Sequence, residues 1–154
     1  MELLDVPDDY DGDLLDYIVV KRPDGQKERF DKYGRLISVT KTVKTSSGYA
    51  EQSINIAYVS DLSTDGNYFA IKSITDGVGR KYLFSYNTAG KLENIKCFMP
   101  NGTQIHSANE LYYMMSTYKY DGENLVSVTK NSSKTYSYEY NSSNEMVSAS
   151  VASQ

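Results

Sequence analysis

The chain has 154 residues and contains no tryptophan, one cysteine, one histidine and three prolines. A single cysteine excludes an intramolecular disulfide, and Cys97 is expected to be a small buried side chain. With one histidine and one cysteine, the sequence has no cluster with the spacing of a metal centre, so we expect neither a metal nor a cofactor. No apolar run approaches the roughly 20 residues of a membrane-spanning helix, so no membrane span is expected.

The sequence also has no excess of positive charge. It contains 16 Lys and Arg against 20 Asp and Glu, a formal net charge of −4. Nucleic-acid binding needs basic side chains clustered beside stacking aromatics, so we expect no nucleic-acid partner. The first residues, Met1–Asp5, lack the basic and long apolar regions of a signal peptide. If the native protein is exported, its signal is therefore expected outside this sequence.

Aromatic residues are abundant, with 15 Tyr and 4 Phe, and they recur at alternate positions. Tyr82, Phe84 and Tyr86 alternate with Leu83 and Ser85. A period of two places the three rings on one face of a β-strand, and aromatic residues suit a half-buried pleated surface. The same alternation recurs at Tyr136, Tyr138 and Tyr140. The pattern predicts strands that each have an aromatic face.

Five aliphatic residues, here called anchors, each follow an aromatic residue and precede a Ser or Asn with an aliphatic neighbour. The anchors are Leu36, Ile71, Leu92, Leu125 and Met146. Their expected partners across a hairpin are, in the same order, Phe30, Tyr58, Tyr86, Tyr120 and Tyr140. The step from Ile71 to Leu92 and the step from Leu125 to Met146 are both 21 residues, which indicates a repeat. The longer intervals of 35 and 33 residues indicate insertions, near 42–52 or 59–68 in one unit and near 99–115 in the other.

Two kinds of turn separate the predicted strands. In the first, an Asp-Gly or Asn-Gly pair supplies the positive φ angle of a tight hairpin. These pairs are Asp24-Gly25, Asp76-Gly77, Asn101-Gly102 and Asp121-Gly122. In the second, Gly or Asn is expected to close a three- to five-residue loop in the left-handed conformation. These loops are Asp31–Gly34, Asn87–Gly90 and Asn141–Asn144.

The repeating unit is therefore predicted to be a β-hairpin. The fold class is all-β, an antiparallel meander of repeated hairpins that forms a single curved or twisted open sheet. One hairpin cannot bury its aromatic face alone, whereas stacked hairpins align tyrosines into ladders in which each pair contributes about 0.2–1 kcal/mol. We expect an acidic N-terminal arm over residues 1–16 and the repeat domain over residues 17–154.

The serial order of Asp-Gly, an aromatic residue, Gly-Arg or Gly-Lys and an anchor resembles the YD repeat of bacterial RHS proteins and their animal relatives, the teneurins. Pro23–Leu36 matches closely, with Phe30-Asp31 in place of Tyr-Asp, and the last copy, with Tyr140-Asn141 and Met146, is degenerate. The resemblance covers residues 17–150. It assigns as structural repeat positions Asp24, Gly25, Phe30, Gly34, Leu36, Asp76, Gly77, Tyr86, Gly90, Leu92, Tyr120, Asp121, Leu125 and Tyr140.

The resemblance implies a secreted or surface-attached bacterial protein. In the family, many repeats form a β-sheet that spirals into a hollow shell around a C-terminal toxin, or serves as an adhesive scaffold. Four or five repeats are too few to close such a shell, and the family's core region with its self-cleaving aspartate site is not located in this sequence. We therefore expect an excised, open segment of the spiral, or a short scaffold that forms an open curved sheet.

Other chemistry is only weakly indicated. The acidic run over residues 8–16 suggests calcium, but an EF-hand loop that starts at Asp9 would need Gly and Glu where Leu14 and Val20 stand. We therefore interpret the run as a solvated arm. The segment Ala108–Met115 alternates better as a strand than as a helix, and we interpret it as an inserted strand or loop.

No catalytic group emerges from the sequence. His106, with Glu110 four residues later, has no serine in a strained turn to pair with and is expected to be an exposed loop histidine. Paired acids for glycoside hydrolysis would have to come from Glu51, Glu93, Glu110 and Glu139, and nothing distinguishes them. The chain is expected not to be an enzyme.

Two functions remain. The first is a structural or interaction module of a larger surface or secreted polypeptide. Its edge strands near 16–21 or 136–147 are expected to pair with neighbouring repeats or with another copy, or to be covered by the N-terminal arm. The second is a carbohydrate- or peptide-binding module that uses exposed tyrosine ladders, with a cell-surface glycan or protein as its partner. The absence of tryptophan favours the first.

Overall fold

The computed structural model describes residues 2–3, 17–59, 70–100 and 114–153. These residues form strands and turns without a helix, and the prediction of an all-β antiparallel meander of hairpins in an open sheet is confirmed. The chain divides into two compact units, Met1–Gly79 and Arg80–Gln154. The described part of the chain holds no helix with the length and hydropathy needed to cross a membrane.

In the first unit, each strand pairs antiparallel with the next strand of the sequence, so that the order in the sheet is the order along the chain. The strands are β1 (Glu2–Leu3), β2 (Tyr17–Lys21), β3 (Lys27–Asp31), β4 (Leu36–Thr45), β5 (Gly48–Tyr58) and β6 (Ile71–Thr75). Residues 42–52 lengthen the β4–β5 hairpin, where one of the two alternative insertions is predicted.

The second unit has the same topology. Its strands are β7 (Lys81–Tyr86), β8 (Leu92–Phe98), β9 (Met114–Asp121), β10 (Asn124–Lys130), β11 (Lys134–Tyr140) and β12 (Met146–Ser153). Both units therefore consist of hairpins added in chain order, as the repeat pattern predicts.

The buried core of the described residues lies in the middle of the second unit. Cys97 in β8 is 2% exposed and Val128 in β10 is 9% exposed. Cys97 lies opposite Tyr82, and Val128 lies between Tyr118 and Tyr136 of the flanking strands. Most other apolar side chains are half-buried, because each strand packs chiefly against its neighbours in the sheet. Cys97 is thus the small buried residue that its sequence context predicts.

Every anchor lies opposite its aromatic partner, at or next to the start of a strand, and a β-bulge accompanies each pair. A bulge increases the local twist of a strand and ends regular pairing. The pairs are Phe30 with Leu36, Tyr58 with Ile71, Tyr86 with Leu92, Tyr120 with Leu125 and Tyr140 with Met146.

Several predicted features lie outside the described residues. They are the acidic run over residues 8–16, the Asn101-Gly102 turn, His106 and Glu110. Of the segment Ala108–Met115, the last two residues belong to strand β9 and the others are not described.

Candidate functional site

The recurring feature of the molecule is a five-residue turn, here called the repeat turn, that joins an aromatic-ended strand to an anchor. It occurs at Asp31–Arg35, Asn87–Lys91 and Asn141–Glu145. In each copy the first N–H donates to the fifth carbonyl at 2.9–3.0 Å, and the fourth N–H donates to the first carbonyl at 2.9–3.0 Å. The three turns therefore share one backbone geometry.

The side chain at the first position completes the turn. Oδ1 of Asp31, Asn87 or Asn141 accepts hydrogen bonds from the N–H groups of the third and fifth residues at 2.9–3.0 Å. Asp and Asn both present this oxygen, and such bonds from a side chain to nearby backbone stabilise turns. The exchange of Asp for Asn between copies is thus explained by an acceptor that both residues share.

The fourth position has a left-handed backbone. Its φ angle is 77° at Gly34, 75° at Gly90 and 60° at Asn144. A Cβ atom at Gly34 would meet nothing within 4 Å, so the constraint is backbone conformation and not space. Asn is the residue that best tolerates this region after Gly, which accounts for Asn144.

The turn at Asp24-Gly25 was predicted to belong to another class, and the structure corrects this. The N–H of Arg22 donates to the carbonyl of Gln26 at 2.8 Å, and that of Gly25 donates to the carbonyl of Arg22 at 3.0 Å. Gly25 has a φ of 82°. The turn is therefore a repeat turn in its backbone, with Arg22 in the first position and Asp24 Oδ1 accepting from Gln26 N–H at 3.2 Å.

The turn at Asp76-Gly77 also differs from its prediction. The positive φ falls on Gly79, at 88°, and not on Gly77. Asp76 Oδ1 accepts from Val78 N–H at 3.1 Å and its carbonyl accepts from Gly79 N–H at 2.9 Å, as in a repeat turn. A Cβ at Gly77 would lie 3.1 Å from the Cβ of Gln52, so close approach of that side chain accounts for this glycine.

Three further hairpin turns are tighter, and the first of them lies between Thr45 and Gly48, which are opposite each other. Asp121 lies opposite Asn124, and Gly122 between them has a φ of 53°. Asn131 and Ser132, with φ angles of 50° and 55°, join β10 to β11, a turn that the sequence reading missed. A serine in this region is uncommon, so the only sequence signal was the asparagine.

Asp31 and Arg35 form an ion pair within the first repeat turn. Arg35 Nε lies 2.7 Å from Asp31 Oδ2, and the two side chains are 10% and 15% exposed. The guanidinium also lies 4.7 Å from the ring centre of Tyr58 on β5. Burial raises the pKa of Asp31, but the hydrogen bonds from Arg35 and from Tyr33 N–H outweigh it, and the net pKa is lower than usual.

This lowered pKa predicts a defined pH dependence. The stabilisation by Asp31 is fully present above its unfolded pKa of about 3.9 and is lost as the pH falls through the lower folded value. The difference in free energy of unfolding between the native chain and Asp31→Asn should be constant from pH 5 to pH 7 and shrink below about pH 4. Urea denaturation across this range measures it. A difference that grows on acidification would contradict the assignment.

Lys91, at the fifth position of the second repeat turn, contacts a tyrosine ring on a neighbouring strand, as Arg35 contacts Tyr58. Its Nζ donates to the carbonyl of Gly122, lies 2.9 Å from Glu123 Oε2 and is 5.5 Å from the ring centre of Tyr120. The side chain is 19% exposed. The basic residue that precedes an anchor thus contacts the tyrosine that ends the next strand, as Arg35 does.

Two tyrosine hydroxyls connect one hairpin to the next. Tyr58 Oη donates to the carbonyl of the anchor Leu36 at 2.9 Å, and Tyr140 Oη donates to the carbonyl of the anchor Leu125 at 2.9 Å. Burial raises the pKa of Tyr58 above its ordinary value, although Arg35 opposes this. Both hydroxyls are therefore used to hold the sheet together.

The described residues show no cluster of metal-binding side chains and no buried polar side-chain atom without a partner. No group of three or more His, Cys, Asp or Glu among them could hold a metal ion, and none of their buried side-chain polar atoms lacks a partner. Of the candidate acids, Glu51 pairs with Lys27 at 3.2 Å, while Glu93 and Glu139 lie apart in β8 and β11. The recurring polar residues form hydrogen bonds that stabilise turns and join neighbouring strands.

The tyrosines that the structure describes do not form an exposed ladder. Within the described ranges, Tyr33 and Tyr49 are the exposed aromatic side chains, at 40% and 77%. The alternating rings of β7 and β11 are half-buried. A stacking surface for sugars is therefore not favoured.

The fold defines a class of protein built from serial antiparallel hairpins, and known structures share it. The chain matches the crystal structures of TcdB2-TccC3-Cdc42 and of TcdB2-TccC3, each with a TM-score of 0.60 and 19% identity over 86% of this chain. It also matches the Photorhabdus luminescens Tc holotoxin pore carrying a mutation in TccC3, with a TM-score of 0.60 and 20% identity over 85% of this chain.

These toxin chains contain shells of RHS/YD repeats, so the resemblance inferred from the sequence holds at the level of the fold. The chain spans only 6–7% of their length. No family model and no curated protein matches the sequence.

Proposed function

We propose that the chain is a non-catalytic structural module, a segment of an RHS/YD-repeat polypeptide whose hairpins form part of a shell or scaffold. The proposed repeat domain covers residues 17–154, after an acidic arm over residues 1–16. The observation that carries the proposal is that a tyrosine hydroxyl in each unit joins one hairpin to the next, Tyr58 on Leu36 in the first unit and Tyr140 on Leu125 in the second.

The use of the polar side chains supports this role. An active site needs polar groups directed at a substrate. The side chains of Asp31, Arg35 and Lys91 instead contact their own turn or a ring on a neighbouring strand. The fold of the toxin chains also supports a shell segment, because their RHS/YD repeats form shells.

The proposal includes a location and a partner. The similar chains belong to Tc toxin assemblies, which supports a secreted or surface-attached bacterial polypeptide. Neighbouring repeats of the same polypeptide, or another copy, would pair with strand edges. Of the two edges expected from the sequence, β2 is paired with β1 at Val20 and Leu3. Tyr136–Tyr140 lies in β11, between β10 and β12, so the edge is β12.

Electron microscopy of the complete gene product tests the proposal. Residues 17–154 are expected within a wall of continuing antiparallel hairpins. Residues enclosed by unrelated layers of helix and sheet would contradict it. A broad hydrolase panel provides a second test, because turnover that a single Glu→Gln substitution abolishes would show that the module is an enzyme.

A further inference from the structure

The strand β12 has a bare edge. Among the described strands, β12 pairs with β11 alone. Its residues Met146–Ser153 include no charge and no proline, although native edge strands are usually protected by such residues. Met146, Val147 and Val151 are 55%, 62% and 56% exposed. In contrast Val128, on a strand with a neighbour on each side, is 9% exposed.

The strand that follows an anchor has a fixed register elsewhere in the chain. The same register is found in three strand pairs, β4–β5, β8–β9 and β10–β11. It is obtained by extending the observed residue pairing of each by the few positions that separate it from the anchor. In each, a tyrosine at the end of the second strand comes opposite the residue that precedes the anchor. The tyrosines are Tyr58, Tyr120 and Tyr140, and the anchors are Leu36, Leu92 and Leu125.

A tyrosine in this position makes recurring contacts. The hydroxyls of Tyr58 and Tyr140 donate to the anchor carbonyls at 2.9 Å. The rings of Tyr58 and Tyr120 lie 4.7 and 5.5 Å from the cations of Arg35 and Lys91. Register, hydroxyl and ring thus identify one docking position for the next strand.

Met146 is an anchor of the same kind, because it follows a repeat turn and lies opposite Tyr140. We propose that the bare edge of β12 binds an antiparallel strand that ends in tyrosine, with its ring opposite Glu145 and its hydroxyl on the carbonyl of Met146. The inference rests on the proposed repeat function and names its partner. The partner is a further hairpin strand with alternating aromatic residues, like Lys134–Tyr140. In the same register its two other rings come opposite Val147 and Ala149.

An extended chain tests this register. A second copy of residues 131–153 is placed directly after Val151. Val151 lies six residues after Glu145, as Lys130 lies six residues after Asn124, so the tyrosine of the copy comes opposite Glu145 as Tyr140 comes opposite Asn124. The backbone N–H groups of β12 that face away from β11 are expected to gain protection in hydrogen exchange. Replacing the tyrosine of the copy that corresponds to Tyr140 with phenylalanine should weaken this protection about 2- to 10-fold, the effect of one hydrogen bond.

Two controls sharpen the result. Tyr140→Phe in the unextended chain removes the observed bond to Leu125 and should lower the folding equilibrium constant by a similar factor. A copy placed after Ser153 sets its tyrosine opposite Val147, and its phenylalanine variant should behave like its parent.

The outcomes separate this inference from the proposed function. In the extended chain, a lack of protection at the β12 amides that face away from β11 would overturn the inference. Equal protection by tyrosine and phenylalanine after Val151 would also overturn it. If Tyr140→Phe still destabilises the unextended chain, the repeat scaffold stands. Loss of both effects would contradict the scaffold as well.

Discussion

Replacing Asp31 with alanine is expected to lower the free energy of unfolding by about 2–4 kcal/mol. The substitution removes the acceptor of two backbone N–H groups and leaves the guanidinium of Arg35, whose side chain is 10% exposed, without its carboxylate. Loss of the carboxylate is costly here because the guanidinium has given up most of its water to make the pair. Urea denaturation followed by circular dichroism measures the change.

Matched variants separate the turn from the charge. Asp31→Asn keeps the Oδ1 acceptor, as Asn87 and Asn141 do naturally, and should cost about 1 kcal/mol, the charged part of the interaction. Glu51→Ala breaks a pair with Lys27 whose side chains are 61% and 49% exposed, and should cost less than about 1 kcal/mol. If Asp31→Ala were as mild as Glu51→Ala, the half-buried ion pair between Asp31 and Arg35 would not stabilise the turn as we describe.

Gly34→Val is expected to lower the free energy of unfolding by about 2–3 kcal/mol. The φ of 77° at this position is strained for any residue with a Cβ and most strained for a β-branched one. A Cβ there would meet nothing within 4 Å, so crowding contributes no part of the loss. Thermal or urea unfolding provides the measurement.

The chain itself supplies the control for Gly34. Asn144 occupies the equivalent position with a φ of 60°, so Gly34→Asn should cost less than about 1 kcal/mol. Equal losses for the valine and asparagine variants would show that the mere presence of a side chain matters, and the conformational explanation would be wrong.

Much of the fold follows from short-range pattern. The alternation of Tyr82, Phe84 and Tyr86 predicts a strand, and the pairing of Tyr86 with Leu92 spans one turn. Such hairpin contacts are local, so residue identity and turn length determine them together. The pairing of Tyr58 with Ile71 was also predicted, across a longer connection, because the anchor pattern repeats on both sides of it.

The particular residue pairs that join one hairpin to the next were not predicted. Tyr58 and Leu36 are 22 residues apart, and Lys91 and Gly122 are 31 apart. Their meeting depends on the register of two strand pairs and on the bulges between them, and the sequence does not state where the bulges lie. The reason for the glycine at position 77 was also not predictable from the local sequence, because Gly77 lies in the turn after β6 and its close neighbour Gln52 lies in β5.

The turn from Arg22 to Gln26 carries a wider consequence. It makes the two main-chain bonds of a repeat turn although arginine stands where the other copies have a carboxylate or an amide. Main-chain hydrogen bonds do not depend on the identity of the side chain. The residue at the first position of a turn can therefore differ while the backbone geometry of the turn stays the same. A turn of this kind therefore does not require Asp or Asn at its first position, and the main chain alone can set the step from one strand of the array to the next.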